Sequence, residues 1–379
     1  MKIGVNEVIL SGQSDGSRQR EINLLGALND ALVENQLDAV FYAASDISSE
    51  FLGQLSRRLK SFPVKVAGIP SRPTVQRVLK GAMRWQKILS EDGCDVFHTS
   101  YYPVPKVRQR VVLTVNDLRY LTFPETYSTT RLWFLRHTVP RAIARADMVF
   151  AISDFTKAEI CNAYRVDPEK VVVTPVARDE AFRPITDRQA LENVREKYSL
   201  PQQFLLSVGH LEPRKNIPRV VEAFKEIQAR GWSDLFLVVV GRPSLRWREI
   251  MAAIGDSDLG GKLRFTGFVD DEDMAGLYNL AEMLVFPSLH EGFGIPLLEA
   301  MGCGLPVVAS DSTALAEVAE DAAVLVNPLS TEAIADGIEK ILSSPTVAED
   351  CFRKGLKRVK DFDARPIASV IAQAYQTLS

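Results

Sequence analysis

Short runs of apolar, β-branched residues alternate along the chain with longer stretches whose apolar positions recur every three or four residues. In the first half the runs 3–8, 40–43, 64–66, 96–99, 111–115, 148–152 and 171–174 predict strands. The stretches 22–34 and 131–145 between them predict helices. After a proline-bearing, mixed-charge segment at 174–184, the rhythm restarts. The runs 204–208, 236–240, 263–265, 284–286, 307–309 and 324–326 predict further strands, with helices such as 219–230 and 331–342 between them. Strands interleaved with helices imply parallel sheets covered on both faces. The expectation is an α/β chain of two tandem doubly wound, Rossmann-like domains, 1–180 and 185–360, facing across a cleft, with a C-terminal helix at 361–379 that packs back on the first domain.

Composition narrows this little. With 379 residues, 46% of them hydrophobic and 25% charged, the chain is ordinary globular material rather than disordered or fibrous. It has no apolar run long enough to span a membrane and no signal-peptide pattern at the N-terminus. Four cysteines lie far apart in sequence, which suggests neither a disulfide framework nor a zinc site. A net charge of −3 points to no nucleic-acid partner. The distribution is more telling: 51–90 holds nine basic residues and no acidic one. Basic stretches with interleaved aromatics, around Arg72, Arg77, Lys80, Arg84, Trp85 and Lys87 and around Arg131, Trp133, Phe134, Arg136, Arg141 and Arg145, suggest peripheral contact with an anionic membrane. Solvated helix faces are the alternative.

Four segments carry candidate chemistry. His290-Glu-Gly-Phe-Gly-Ile-Pro-Leu-Leu-Glu299 follows a predicted strand, and Pro296 suits the first turn of a helix. Backbone N–H groups at such a helix start favour an anion. Glu291 and Glu299, with seven residues between them, can hold separate polyol groups. Ser207-Val-Gly-His-Leu-Glu-Pro-Arg-Lys-Asn216 sets Arg214 and Lys215 ahead of another helix, where they can neutralise phosphate oxygens. Ser11-Gly-Gln-Ser-Asp-Gly-Ser17 is a flexible turn without a P-loop or dinucleotide fingerprint. Thr114-Val-Asn-Asp-Leu118 projects Asn116 and Asp117 from a strand end. On spacing alone, a glycine turn with a solvated glutamate, a solvated basic turn and a turn cap explain these segments equally. The acidic run 270–273 reads as a helix N-cap rather than a metal site, and the histidines have no metal-ligand spacing.

At these residues the chain resembles family 4 of the retaining glycosyltransferases, with GT-B architecture. The run from Phe286 to Ser310 is similar to the family's E-x7-E block. Leu211-Glu-Pro-Arg-Lys-Asn216, Gly267-Phe-Val269, Ala316-Glu-Val318 and Asp117-Leu with Phe123-Pro-Glu125 resemble its other blocks. The resemblance implies catalytic roles for Glu291, Arg214, Lys215 and Asn116. It implies donor contacts at Gly16, Gly209, Val269, Gly292, Phe293, Gly294, Ile295 and Glu299, with Glu299 on the ribose and no metal. It further implies no cofactor beyond a nucleotide-sugar donor, GDP-linked in the O-antigen and exopolysaccharide mannosyltransferase-like members. The acceptor would be a glycan or lipid-linked oligosaccharide, and the location cytoplasmic, at the inner membrane face. Asn116 stands where many members have His, and His210 where relatives often have Thr. A catalytically weak nucleotide-sugar-binding subunit and a nucleotide-sugar epimerase are the rival readings.

Overall fold

The computed structural model describes residues 1–8, 10, 16–255 and 259–378. The chain divides into two compact units, Met1–Leu118 with Thr130–Ala177 and Phe362–Ser379, and Arg119–Thr129 with Arg178–Asp361.

The first unit holds a seven-stranded parallel sheet: β1 (Lys2–Asn6), β2 (Asp38–Ala43), β3 (Val64–Val66), β4 (Val96–Thr99), β5 (Arg110–Val115), β6 (Met148–Ala151) and β7 (Val171–Val173). Its order is β3-β2-β1-β4-β5-β6-β7, so the winding reverses between β1 and β4. Val40, Phe41 and Tyr42 are consecutive and all buried, the mark of a strand covered on both faces. The helix Ala364–Gln376 belongs to this unit and packs on the helix Gly16–Glu34. Its Ile367, Ile371 and Tyr375 share one core with Leu25, Leu28, Leu32 and Phe150. The Tyr375 hydroxyl lies 2.6 Å from His98 Nδ1, and His98 Nε2 lies 2.8 Å from Thr114 Oγ1. Burial lowers the His98 imidazole to about 4, so at neutral pH it is an uncharged link between the terminal helix and β4.

The second unit holds a six-stranded parallel sheet: β8 (Phe204–Val208), β9 (Phe236–Val240), β10 (Leu263–Gly267), β11 (Met283–Phe286), β12 (Val307–Ser310) and β13 (Val324–Val326). Its order, β10-β9-β8-β11-β12-β13, reverses between β8 and β11. Those two strands pair through Met283 with Leu205 and Leu284 with Leu206. Leu205, Leu237, Val239, Val285 and Val308 face one side of the sheet, in a core with the helices Ile217–Ala229 and Thr331–Ser343.

Three sequence readings change in the structure. The segment 119–129 groups with the second unit, where Arg119 meets Glu212 and Arg246 Nε donates to the Glu125 carbonyl. Asp270 is the N-cap residue of the helix Asp271–Leu280, as expected, but its side chain makes no capping bond; its carboxylate, with that of Asp273, instead holds Lys197 at 2.8 and 2.6 Å. Trp85 is no surface aromatic: it is buried against Tyr42 and Phe97. The turn residues 11–15 lie outside the described residues, and Gly16 is the first residue of the helix Gly16–Glu34.

The terminal helix completes the first core, so Ile371→Ala is expected to destabilise the protein by about 2–5 kcal/mol. Urea unfolding followed by circular dichroism measures the loss.

Candidate active site

Because β8 and β11 are neighbours at the reversal of the second sheet, the loops after them start side by side. This brings together side chains 76 residues apart in sequence, at the place where doubly wound sheets bind ligands.

After β8 the chain leaves the sheet at Gly209 and reaches a single 3-10 turn, Pro213–Lys215. Asn216 follows in the left-handed region, with φ 60°. Its side-chain amide donates to the carbonyls of Pro287 at 3.0 Å and Pro328 at 2.7 Å. These bonds fix the turn that presents Arg214 and Lys215 inward, both buried. After β11, Leu289 N–H donates to the Arg214 carbonyl at 2.7 Å and joins the two loops.

The centre is a buried charge cluster. Glu291 Oε1 receives Lys215 Nζ at 2.6 Å and Arg214 Nη1 at 2.7 Å. Arg214 Nη1 also donates to the His290 carbonyl at 3.1 Å, and its Nε donates to Glu212 Oε2 at 2.8 Å. Lys215 Nζ lies 4.4 Å from the centre of the Phe286 ring, a cation–π contact. Burial alone would raise the Glu291 carboxyl, but Lys215 and Arg214 overrule it and hold the group down at about 2. Burial lowers the Lys215 ammonium to about 8 against the pull of Glu291, and Arg214 adds to the lowering. The carboxylate is therefore firmly ionised, while the ammonium is held at a cost that a second anion would relieve.

Glu291 leads to the helix Ile295–Gly302, entered through Gly294 at φ 104°. An added Cβ at Gly294 would run into Leu315 Cδ2, so glycine is required there for both space and conformation. Gly292 and Phe293 are buried beside it, and Ile295 opens the helix. Glu299, one turn into the helix, is half-buried, and the buried Tyr278 donates its hydroxyl to Glu299 Oε2 at 2.9 Å. At the carboxyl ends of β9 and β10, Gly241 lies so close to Gly209 that a Cβ would strike the Gly209 carbonyl oxygen. Val269 is buried next to the exposed Phe268, over which Arg242 stacks at 3.9 Å.

Arg214, Lys215 and Glu291 thus meet directly, and Gly209, Val269, Gly292, Phe293, Gly294, Ile295 and Glu299 belong to the same unit. Asn116, exposed just past β5, and Gly16 belong to the first unit. Three participants were not singled out in the sequence. Glu212 sits inside the Leu-Glu-Pro-Arg-Lys-Asn run, two residues before the arginine it holds. Arg119 lies 3.5 Å from Glu212 and donates to the Tyr127 hydroxyl at 2.5 Å, and no local pattern marks it. Tyr278 reads as an ordinary core tyrosine until its hydroxyl is placed on Glu299. Among the described residues, no group of three or more His, Cys, Asp or Glu side chains could hold a metal ion.

Residues 191–358 match the family model described as Glycosyl transferases group 1, and residues 27–182 match Glycosyltransferase Family 4. The chain is 30% identical over 284 residues to O-antigen chain mannosyltransferase B of Escherichia coli, spanning 75% of this chain and 74% of that one. The chain belongs to the family 4 glycosyltransferases. This glycosyltransferase is also 26% identical over 347 residues to the O-antigen chain mannosyltransferase RfbU of Salmonella typhimurium, covering 90% and 91% of the two chains. Among solved structures it resembles Anabaena HepE, determined in complex with UDP-glucose, with a TM-score of 0.74, 20% identity and full coverage of both chains. The fold is therefore GT-B.

Stability should carry the signature of Glu291. Its lowered pKa adds stability that is complete above the unfolded carboxyl value near 4.5 and is lost as pH falls toward 2. Melting temperatures of the wild type should drop more steeply over that window than those of Glu291→Gln.

Proposed function

We propose that this glycosyltransferase moves a hexose, mannose or a closely related sugar, from a GDP-sugar to a glycan or lipid-linked oligosaccharide in cell-surface polysaccharide synthesis. Anomeric configuration would be retained, without a metal ion. The observation that carries the reading is the buried Arg214–Lys215–Glu291 cluster at the carboxyl ends of β8 and β11. Two buried cations beside a helix start suit a diphosphate, and they can stabilise its charge as it leaves without help from a divalent ion. The diphosphate would share the cations that Glu291 now holds. The Glu291 carboxylate could then accept hydrogen bonds from donor-sugar hydroxyls, beside the backbone N–H groups from Gly292 to Ile295. Glu299, oriented by Tyr278, would accept from the ribose hydroxyls. Gly209 and Val269 would lie along the nucleotide, and Gly16 and Asn116 of the first unit are assigned by resemblance to the phosphates and the donor sugar.

In the reaction the bond from the anomeric carbon to the diphosphate oxygen breaks. The acceptor hydroxyl attacks from the same face, and its proton passes to the departing phosphate oxygen. Mannose rests on the two O-antigen mannosyltransferases that the chain is similar to; the GDP-linked donor rests on the family resemblance alone. A lipid-linked acceptor implies work at the cytoplasmic face of the membrane, where the chain would sit peripherally. No helix among the described residues is long and apolar enough to cross a membrane. Asn116 favours one second reading, a subunit that binds nucleotide sugar but turns it over weakly, because Asn cannot carry the charge of an imidazolium.

Calorimetric titration with GDP, UDP, ADP and dTDP, without metal, tests the donor. GDP should bind most tightly, and a UDP preference would remove the mannosyl assignment. Glu299→Ala should weaken nucleoside diphosphate binding by about 1.5–3 kcal/mol, and unchanged affinity would remove the ribose role. Nucleotide binding without transfer to any mannose-type acceptor would favour the subunit reading.

A further inference from the structure

The segment 119–129 lies in the first half of the chain, with Leu118 before it and Thr130 after it both in the first unit, yet it groups with the second. Short-range bonds fold it on itself: Phe123 N–H donates to the Arg119 carbonyl at 2.7 Å, and Tyr127 N–H to the Pro124 carbonyl at 3.1 Å. Three contacts then fasten it to loops at the carboxyl edge of the second sheet. Arg119 Nη1 lies 3.5 Å from Glu212 Oε2, after β8. The Phe123 ring meets the His290 ring edge-on, after β11, with 6.1 Å between centroids. Arg246, after β9, donates from Nε to the Glu125 carbonyl at 3.1 Å.

The first contact reaches the charge cluster. Glu212 Oε2 is shared, since it accepts from Arg214 Nε at 2.8 Å while it faces Arg119. Arg214 turns another edge, Nη1, to Glu291 at 2.7 Å, and Glu291 holds Lys215. The side chains therefore alternate in sign along one line, Arg119–Glu212–Arg214–Glu291–Lys215. Three cations stand against two carboxylates. Without Arg119 the line would be neutral; with it, one positive charge is in excess. Arg214 is buried and Glu212 nearly so, which leaves these charges weakly screened by solvent. Burial alone would lower the Arg214 pKa; Glu291 and Glu212 raise it, and Arg119 opposes them. The Arg119 charge is thus felt at Arg214 across Glu212.

We propose that Arg119 is a positioning residue for the donor diphosphate, acting on Arg214 through Glu212. It draws part of the Glu212 charge away from Arg214 and fixes the carboxylate against which the guanidinium is set. The line keeps an uncompensated positive charge for an incoming diphosphate, and Arg119 itself needs no contact with the donor. The inference rests on the reading of a nucleotide-sugar donor at this site, and adds to that site a residue from the first half of the chain.

Calorimetric titration with GDP, UDP and inorganic pyrophosphate tests it on wild type, Arg119→Met, Arg119→Lys, Glu212→Gln and the double variant Arg119→Met, Glu212→Gln. Arg119→Met should weaken binding of the preferred nucleoside diphosphate and of pyrophosphate by about fivefold, the size of a coupling between neighbouring charges. Arg119→Lys keeps the charge and should recover most of the loss. In the Glu212→Gln background Arg119→Met should change little, because the carboxylate it acts on is gone; a merely structural role would give the same loss in both backgrounds. Arg119→Gln, which removes the charge but keeps a hydrogen-bond donor, replaces the Met variant if that one melts early. Unchanged affinity on removing the charge, equal losses in the two backgrounds, or no recovery with lysine would overturn the proposal. A wild type that prefers UDP would remove the GDP assignment and leave the coupling readable with UDP. A wild type that binds neither nucleoside diphosphate nor pyrophosphate would overturn both readings.

Discussion

One carboxylate oxygen holding two buried cations organises the second unit. Glu291 lies between Lys215 and Arg214 at 2.6 and 2.7 Å. The pairing offsets the cost of taking three charges out of water only because the geometry is close and further bonds complete it. Glu212 holds the other side of Arg214, and the Asn216 amide pins the turn to two carbonyls. Remove the carboxylate, and one ammonium and one guanidinium group remain buried with less than their share of negative charge. The loops after β8 and β11 thus have a reason to stay where the sheet puts them. The same arrangement leaves a depressed lysine beside a permanent arginine, which is suited to receiving a further anion.

Much of this was legible in the sequence, and its limits are physical. Among the described residues the thirteen strands overlap the predicted runs. The central ones are apolar at consecutive positions because both faces are covered, whereas the edge strands β3 and β10 are partly exposed and carry Lys65 and Arg264. The helix starting beside Pro296 was legible because proline suits a first helical turn, and the structure starts it at Ile295. Arg214, Lys215 and Glu291 stood out because each sits in a strand–turn–helix segment with glycine or proline punctuation. Arg119 did not stand out, since its role depends on a segment of the first half grouping with the second unit. The acidic run 270–273 was legible as a helix start, yet its charges are held by Lys197 from another helix, a contact no local rule contains. Trp85 misled for a related reason. Basic neighbours suggest a surface, while burial is decided by which face of the helix meets Tyr42 and Phe97.

The glycines of the second unit mark where backbone must come close to backbone. Gly241 and Gly294 lie at φ 156° and 104°, and a side chain at either would collide with its neighbours. They keep the carboxyl edge of the sheet low, so that the charged and aromatic groups around it (Lys215, Arg214, Arg242 stacked on Phe268) are what a ligand would meet.

The division of the chain also bears on the order of its synthesis. The second unit draws its residues from no further along the chain than Asp361, whereas the first unit lacks the helix Ala364–Gln376, and with it Ile367, Ile371 and Tyr375, until those residues emerge. A ribosome therefore delivers every part of the second unit before the unit that holds β1–β7 is complete. The first sheet must wait with one flank of its core uncovered, and loss of residues 364–376 would strike the sheet whose strands β1–β7 are made before those of the second unit.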